Sequence, residues 1–236
     1  MQSRRYAAFG VLLASVSLAV FVMTNTAFFR VQDISVTGMS KVPAHEVTAL
    51  SGLHKGEHMF AFKSENVQSL VLGHPWILSA TVRRRFPGVV EIAVKERTPL
   101  ACVPYHNGFL TLDEEARVLE FTTGGKIAYP VITGWSPASA SAGDFIRSAG
   151  ILAGLRCALA ATPAMRDRIS ELAVEKDQAV VLYLIGGLRV YFGQADAQAE
   201  KKFNVLESLL KDISDNKIDA LYVDLRYANP VIKTRK

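Results

Sequence analysis

Residues 77–97 read ILSATVRRRFPGVVEIAVKER, and the fold of the first half of the chain turns on them. Residues 77–86 and 89–97 are two alternating runs joined at Pro87-Gly88, a turn dipeptide. In the second run Val90, Ile92 and Val94 share one side, and Glu91, Ala93 and Lys95 the other. That period of two predicts a β-hairpin.

Upstream of the hairpin the period changes. Val67, Leu70 and Val71 follow Ser64 at helical spacing, with Ser64 the expected N-cap and Gly73 and Pro75 closing the helix. Residues 59–62 are expected as a short extended piece. Val47 and Leu50 predict an earlier helix, with Pro43 in its first turn and Gly52 at its end. Residues 31–37, VQDISVT, alternate as a strand ended by Gly38. The predicted order is β-α-α-β-β within about 70 residues.

Before that unit lies an uncharged, mostly apolar run over residues 6–29, with Arg4 and Arg5 ahead of it and Arg30 behind. About 20 apolar residues span the ~30 Å hydrocarbon core as a helix. The flanking arginines place the N-terminus in the cytoplasm and the rest outside it. A cleaved signal peptide is the competing reading, with Thr24, Asn25, Thr26 and Ala27 as a weak cleavage site. The length of the run, and Phe28 and Phe29 at its end, favour an anchor. Either reading exports about 207 residues, enough for one large domain or two small ones.

After Pro99 the pattern changes again. Strands are expected at 109–112, 116–121, 169–175, 178–185 and 188–192, with a two-residue turn at Gly186-Gly187. Tyr129 to Ile132 leads into a loop rich in Gly, Ser, Ala and Pro over 133–143. One helix is expected over 144–160. A second follows Asp196, its expected cap, and carries Phe203, Leu206, Leu210 and Ile213 as an apolar stripe. Residues 220–227 read as a strand, then comes a turn at Asn229-Pro230 and a short strand over 231–233.

The formal charge of +5 and pI of about 9.2 are mildly basic. The basic residues are scattered apart from Arg83-Arg84-Arg85 and the tail, so a solvated surface is expected and no nucleic-acid partner. Cys102 and Cys157 lie in segments that look like a strand and an apolar helix, and two buried free thiols are expected rather than a bridge. His54-Lys55-Gly56-Glu57-His58 matches HxxEH, a zinc-hydrolase pattern that works on a helix. Here Gly52 precedes it, Gly56 lies within it and it falls between two helices, so a solvated loop is expected. The acidic turn Asp113-Glu114-Glu115 is likewise expected to be solvated. Nothing supports a catalytic residue, a cofactor or a metal.

The end of the chain is the better candidate for function. A late, short strand pair tends to lie at a sheet edge, whose unpaired N–H and C=O groups a partner strand can use. Arg226 and Tyr227 are residue types enriched at binding hot spots. An ordinary edge, protected by Pro230 and the terminal Lys and Arg residues, remains the alternative.

The β-α-α-β-β unit behind a single anchor resembles a POTRA domain, and the whole chain resembles the FtsQ/DivIB family of bacterial cell-division proteins. The marks are Phe29-Arg30-Val31 with Ile34-Ser35-Val36-Thr37-Gly38, His74-Pro75-Trp76-Ile77, Phe86-Pro87-Gly88 and Val94-Lys95-Glu96-Arg97-Thr98-Pro99. In the second region they are Phe109-Leu110-Thr111-Leu112-Asp113, Pro130-Val131-Ile132-Thr133-Gly134 and Val223-Asp224-Leu225-Arg226-Tyr227. The resemblance implies an α+β protein: a cytoplasmic segment 1–5, a transmembrane helix 6–29, a POTRA domain 30–98, and a mixed, mostly antiparallel β domain with two helices over 99–236.

The implied role is a non-enzymatic scaffold at the division septum of the cytoplasmic (inner) membrane. Its implied partners are FtsB-like and FtsL-like single-pass proteins, with FtsB adding a strand beside the last strands. The matching positions are Leu225, Arg226, Tyr227, Val231 and Ile232. Two departures stand out: Gln194 follows Phe192-Gly193 where some members carry an Arg, and Pro230 interrupts the last strand pair. The rival readings are a POTRA-bearing transport or outer-membrane assembly component, and a secreted zinc hydrolase built on His54 and His58.

Overall fold

The computed structural model describes residues 2–25, 29–125 and 127–235. It divides into two compact units, Met1–Glu96 and Arg97–Lys236.

The first unit begins with helix α1, Gln2–Asn25, whose 24 residues carry exposed Phe9, Val11, Leu12, Leu13, Val16 and Phe21. Among the described residues no helix is long and apolar enough to cross a membrane. Part of the expected span lies outside the described residues: positions 26–28, and the side chains at 6–8, 19 and 22–25. Then come β1 (Asp33–Thr37), α2 (Ala44–Ser51), α3 (Ser64–Leu72), β2 (Ile77–Arg85) and β3 (Val89–Glu96), the predicted β-α-α-β-β order. β3 is central, parallel to β1 and antiparallel to β2. The alternation seen in the hairpin buries Val90, Ile92 and Val94 beneath the helices with Val47, Val67 and Val71. Gly38 ends β1 at φ +86°, and a Cβ there would run into the Val94 carbonyl. Beyond it, the Glu96 carboxylate accepts from the N–H groups of Ser40, Lys41 and Val42 at 2.8–3.0 Å.

Two local expectations are corrected. Residues 59–62 form a turn, not an extended piece, because Met59 is fully buried and the Arg84 guanidinium gathers the turn around itself. Arg84 Nε donates to Met59 O at 2.7 Å and Nη2 to Phe62 O at 2.6 Å. Ser64 is not the N-cap of α3; Lys63 is, and the Ser64 hydroxyl instead accepts from Arg84 Nη1 at 3.0 Å.

The second unit holds β4 (Pro99–Tyr105), β5 (Gly108–Asp113), β6 (Val118–Thr122), β7 (Val131–Thr133), α4 (Ala149–Ala160) and α5 (Pro163–Arg166). It continues with β8 (Ile169–Val174), β9 (Val180–Leu184), β10 (Arg189–Gly193), α6 (Ala199–Asp215), β11 (Ala220–Asp224) and β12 (Val231–Thr234). Its described strands form one mixed sheet in the order β12-β11-β10-β9-β8-β7-β4-β5-β6. The parallel contacts are β10–β11, β4–β7 and β7–β8; the others are antiparallel. Gly186 and Gly187 turn β9 into β10 at φ +101° and +88°, the left-handed pair a tight hairpin needs. α4 packs on the sheet and against α6, whose Phe203, Leu206 and Leu210 are buried.

Three boundaries differ from expectation for a local reason, and one helix is added. α4 starts at Ala149, not 144, because Val118 N–H donates to Asp144 O and Ile146 N–H to Ala116 O, tying 144–146 to the sheet. α6 is capped at Gln198 rather than Asp196; the Asp196 carboxylate accepts the Gln198 N–H at 2.9 Å and shapes the turn before it. A third helix, the single turn α5, joins the two expected. β11 ends at Asp224, not 227, because the Asp224 carboxylate accepts the Arg226 N–H at 3.0 Å and turns the chain.

The acidic turn is not simply solvated. Asp113 is buried and paired with Arg97, whose Nη1 also reaches Glu115 Oε2 at 2.6 Å. Asp113 Oδ1 takes the N–H groups of Glu115 and Arg117 at 3.0 and 2.8 Å, so the residue builds the β5–β6 turn. Nor is Arg84 part of a loose basic patch. Cys102 and Cys157 are free and buried.

Candidate functional site

β12 is the outermost strand, and among the described residues it pairs only with β11. Val223 faces Ile232 and Asp224 faces Val231 in that pair. Ile232 packs on the core, while Val231 is half exposed. Arg235 N–H donates to Asp219 O at 2.9 Å, on the β11 side. Alternation along the strand therefore turns the N–H of Thr234 outward.

The five expected site residues divide into two kinds. Leu225 is buried and its N–H donates to Tyr191 O at 2.9 Å, so it holds the strand end in place. Arg226, Tyr227 and Val231 are exposed, and Ile232 is partly so. Tyr227 is 64% exposed, far beyond what a buried packing role would leave. The Arg226 guanidinium lies 4.8 Å from the Tyr191 ring and 5.9 Å from the Tyr227 ring, with Asp224 fixing its other side. Asp224 holds Arg226 protonated beyond its usual range through side-chain hydrogen bonds. In turn those bonds hold the Asp224 carboxyl below its usual value.

Two features were not read from the sequence. The first is a row of aromatic and basic side chains across one sheet face: Tyr183 on β9 opposite Arg189 on β10, which is opposite Tyr222 on β11. Tyr191 meets Tyr222 edge-on at 5.4 Å and accepts from Arg189 Nη1 at 3.2 Å. Alternation in each strand places these residues, but pairing them requires the strand order. The second is a cleft of about 400 Å³ between the start of α6 and the turn after β11, whose lining includes Asp196, Lys201, Lys202, Val205, Arg226 and Tyr227, with cations in excess. Lys202 Nζ donates to Phe192 O and Gln194 O at 3.3 and 3.0 Å. Gln194 itself turns away and donates to Asp177 O at 2.7 Å. Arg226 and Tyr227 line the cleft and lie in the turn that leads from β11 into the edge strand β12.

His54 and His58 lie in the turns before α3 rather than on a helix, so they lack the one-face spacing that the zinc pattern requires. His58 packs on Phe60 at 5.7 Å between ring centres.

Comparison with known proteins gives two family matches. The model described as "POTRA domain, FtsQ-type" matches residues 29–97. The model described as "Cell division protein FtsQ/DivIB, C-terminal" matches residues 101–226. Among curated relatives, "Cell division protein FtsQ" of Anaeromyxobacter sp. (strain K) is 29% identical over 84% of this chain and 68% of that one. The protein of the same description in Syntrophotalea carbinolica is 28% identical over 96% of this chain and 81% of its own. "Cell division protein DivIB" of Geobacillus kaustophilus is 29% identical over 68% of this chain and 60% of that one.

Proposed function

The chain belongs to the FtsQ/DivIB family of bacterial cell-division proteins, and from that premise we propose that it works as a non-enzymatic scaffold of the division machinery. The POTRA domain and the β domain stand outside the cytoplasmic membrane. The apolar run over residues 6–29 anchors them, with the N-terminus in the cytoplasm. The apolar run between Arg5 and Arg30 and the exposed apolar side chains of α1 support that anchoring. The scaffold joins FtsB-like and FtsL-like single-pass proteins at the septum.

The observation that carries the proposal is the free side of β12. A partner strand laid there gains main-chain hydrogen bonds, including the outward N–H of Thr234. Side chains then supply selectivity. Tyr227 and Val231 offer apolar area, and the cleft with Lys201, Lys202 and Arg226 favours an acidic segment flanking the strand. Pro230 precedes β12 rather than lying inside it, so it sets the length of the edge without removing a donor from the strand itself.

The test is co-purification of the FtsB-like partner from membranes. Tyr227→Ala and Thr234→Pro are each expected to lose the partner while keeping the wild-type circular dichroism spectrum and melting curve. Wild-type recovery of partner by both variants would defeat the edge proposal.

A further inference from the structure

The first unit carries an aromatic cluster that the division role leaves unused. Phe29, Phe60 and Phe86 come from three separate stretches, the approach to β1, the turn before α3 and the tip of the β2–β3 hairpin. Their rings meet pairwise at 5.9–6.0 Å. Yet Phe60 and Phe86 are each 56% exposed. One exposed aromatic is ordinary, whereas two exposed rings gathered on a third, partly buried one mark a contact surface.

The cluster is held rigidly. Met59 N–H donates to Phe29 O at 2.8 Å, and Arg30 bridges His58. Arg84 fixes the turn that presents Phe60 through its bonds to Met59 O and Phe62 O. A prearranged patch loses little conformational entropy when it docks.

Chain length identifies the occupant. Phe29 follows Asn25, the last residue of α1, by four positions. At ~3.5 Å per residue the cluster cannot stray more than about 14 Å from the helix end. The headgroup zone on each side of a bilayer is itself about 5–8 Å deep. An anchored α1 therefore keeps the rings at or beside the lipid interface, where aromatic side chains concentrate and where the tether gives a high effective concentration.

Resting on the anchoring proposed above, we infer that Phe29, Phe60 and Phe86 form a foot that seats in the headgroup region of the membrane carrying α1. The foot fixes how the first unit stands on the membrane. Rings rather than charges make the contact, so it persists at high salt.

The test uses the full chain in phosphatidylcholine–phosphatidylglycerol vesicles, some made with lipid brominated high on the acyl chain, to read the foot, and some with lipid brominated near the end of the chain, to read Val16→Trp. Phe60→Trp and Phe86→Trp each keep an aromatic ring and report on the foot, Val16→Trp reports on α1, and the wild-type signal is subtracted. The inference expects a loss of emission from all three variants in brominated vesicles, unchanged by salt. Loss from Val16→Trp with full emission from both foot variants overturns the foot and spares the anchor. Full emission from Val16→Trp overturns the anchor, and the foot with it.

Discussion

Arg226 and Asp224 stand two residues apart and grip each other where β11 ends. Arg226 Nε donates to both carboxylate oxygens at 3.0 and 3.2 Å, and Nη2 donates to Oδ2 at 2.6 Å. The Asp224 side chain is nearly buried while that of Arg226 is half exposed. The inner partner thus positions the outer one, which lies against Tyr191 and Tyr227 with part of its guanidinium open to water. On the proposed function, a partner's carboxylate would meet a cation that has little rotamer freedom left to lose.

Asp224→Asn is therefore expected to weaken partner binding more than it weakens the fold. A loss of about fivefold to tenfold corresponds to ~1 kcal/mol of lost orientation. Titration of partner against wild type and variant, with melting curves beside it, checks both halves of that expectation.

Acid should act on the same group. The side-chain hydrogen bonds from Arg226 hold the Asp224 carboxyl below its usual value. At Glu96 burial pushes the carboxyl up, but the N–H groups of Ser40, Val42 and Lys41 outweigh it and the net direction is down. A depressed carboxyl adds stability that is complete above the ordinary value of about 4 and is lost as pH falls below it. Denaturant midpoints measured from pH 7 to pH 3 should be flat in this respect until about pH 5 and then fall. Glu96→Gln should reduce the size of that fall.

The knot around Arg97 predicts a contrast between two neighbours. The side chains of Arg97 and Asp113 are 8% and 3% exposed, whereas that of Glu115 is 54% exposed. Asp113→Ala leaves a buried guanidinium half paired and removes the acceptor that shapes the β5–β6 turn, a cost of about 3–5 kcal/mol. Glu115→Ala should cost no more than about 1 kcal/mol. Equilibrium denaturation of the two variants separates them, and equal losses would contradict the account.

Much of this fold was legible in the sequence, and the misses share one cause. Val90, Ile92 and Val94 announce a strand because burial repeats every second residue, and Phe203, Leu206 and Leu210 announce a helix for the same kind of reason. Side chains that hold two distant segments carry no such period. Arg84 looks like the middle of a basic run until the turn at 59–62 closes on it. Asp113 looks like a solvated acid until Arg97 reaches across from the start of the unit. The late position and shortness of β12 suggested an edge. Its free side, and the row of Tyr183, Arg189 and Tyr222 beside it, needed the strand order. That order includes the parallel β10–β11 contact across α6, which local pattern does not reveal.

Burial makes a further prediction for the thiols. It pushes both Cys102 and Cys157 up from the usual thiol value, against an opposing bond from Thr111 in the first and the nearby Lys202 charge in the second. Because the thiolate is the reactive form, neither should be alkylated in the native protein, and both should be in denaturant. Mass spectrometry after a brief maleimide pulse reads the outcome directly.

Those buried thiols also leave single engineered cysteines readable in the most direct test of the central claim. Cysteines placed at Val231, Lys233 and Arg235 would be paired by mild oxidation in membranes with a series along the strand segment of the FtsB-like partner. Strand addition on β12 predicts disulfides only for register-matched pairs, shifting by two partner residues for each two-residue step along β12. Disulfides without register, or none along β12 while the partner still co-purifies, would contradict it.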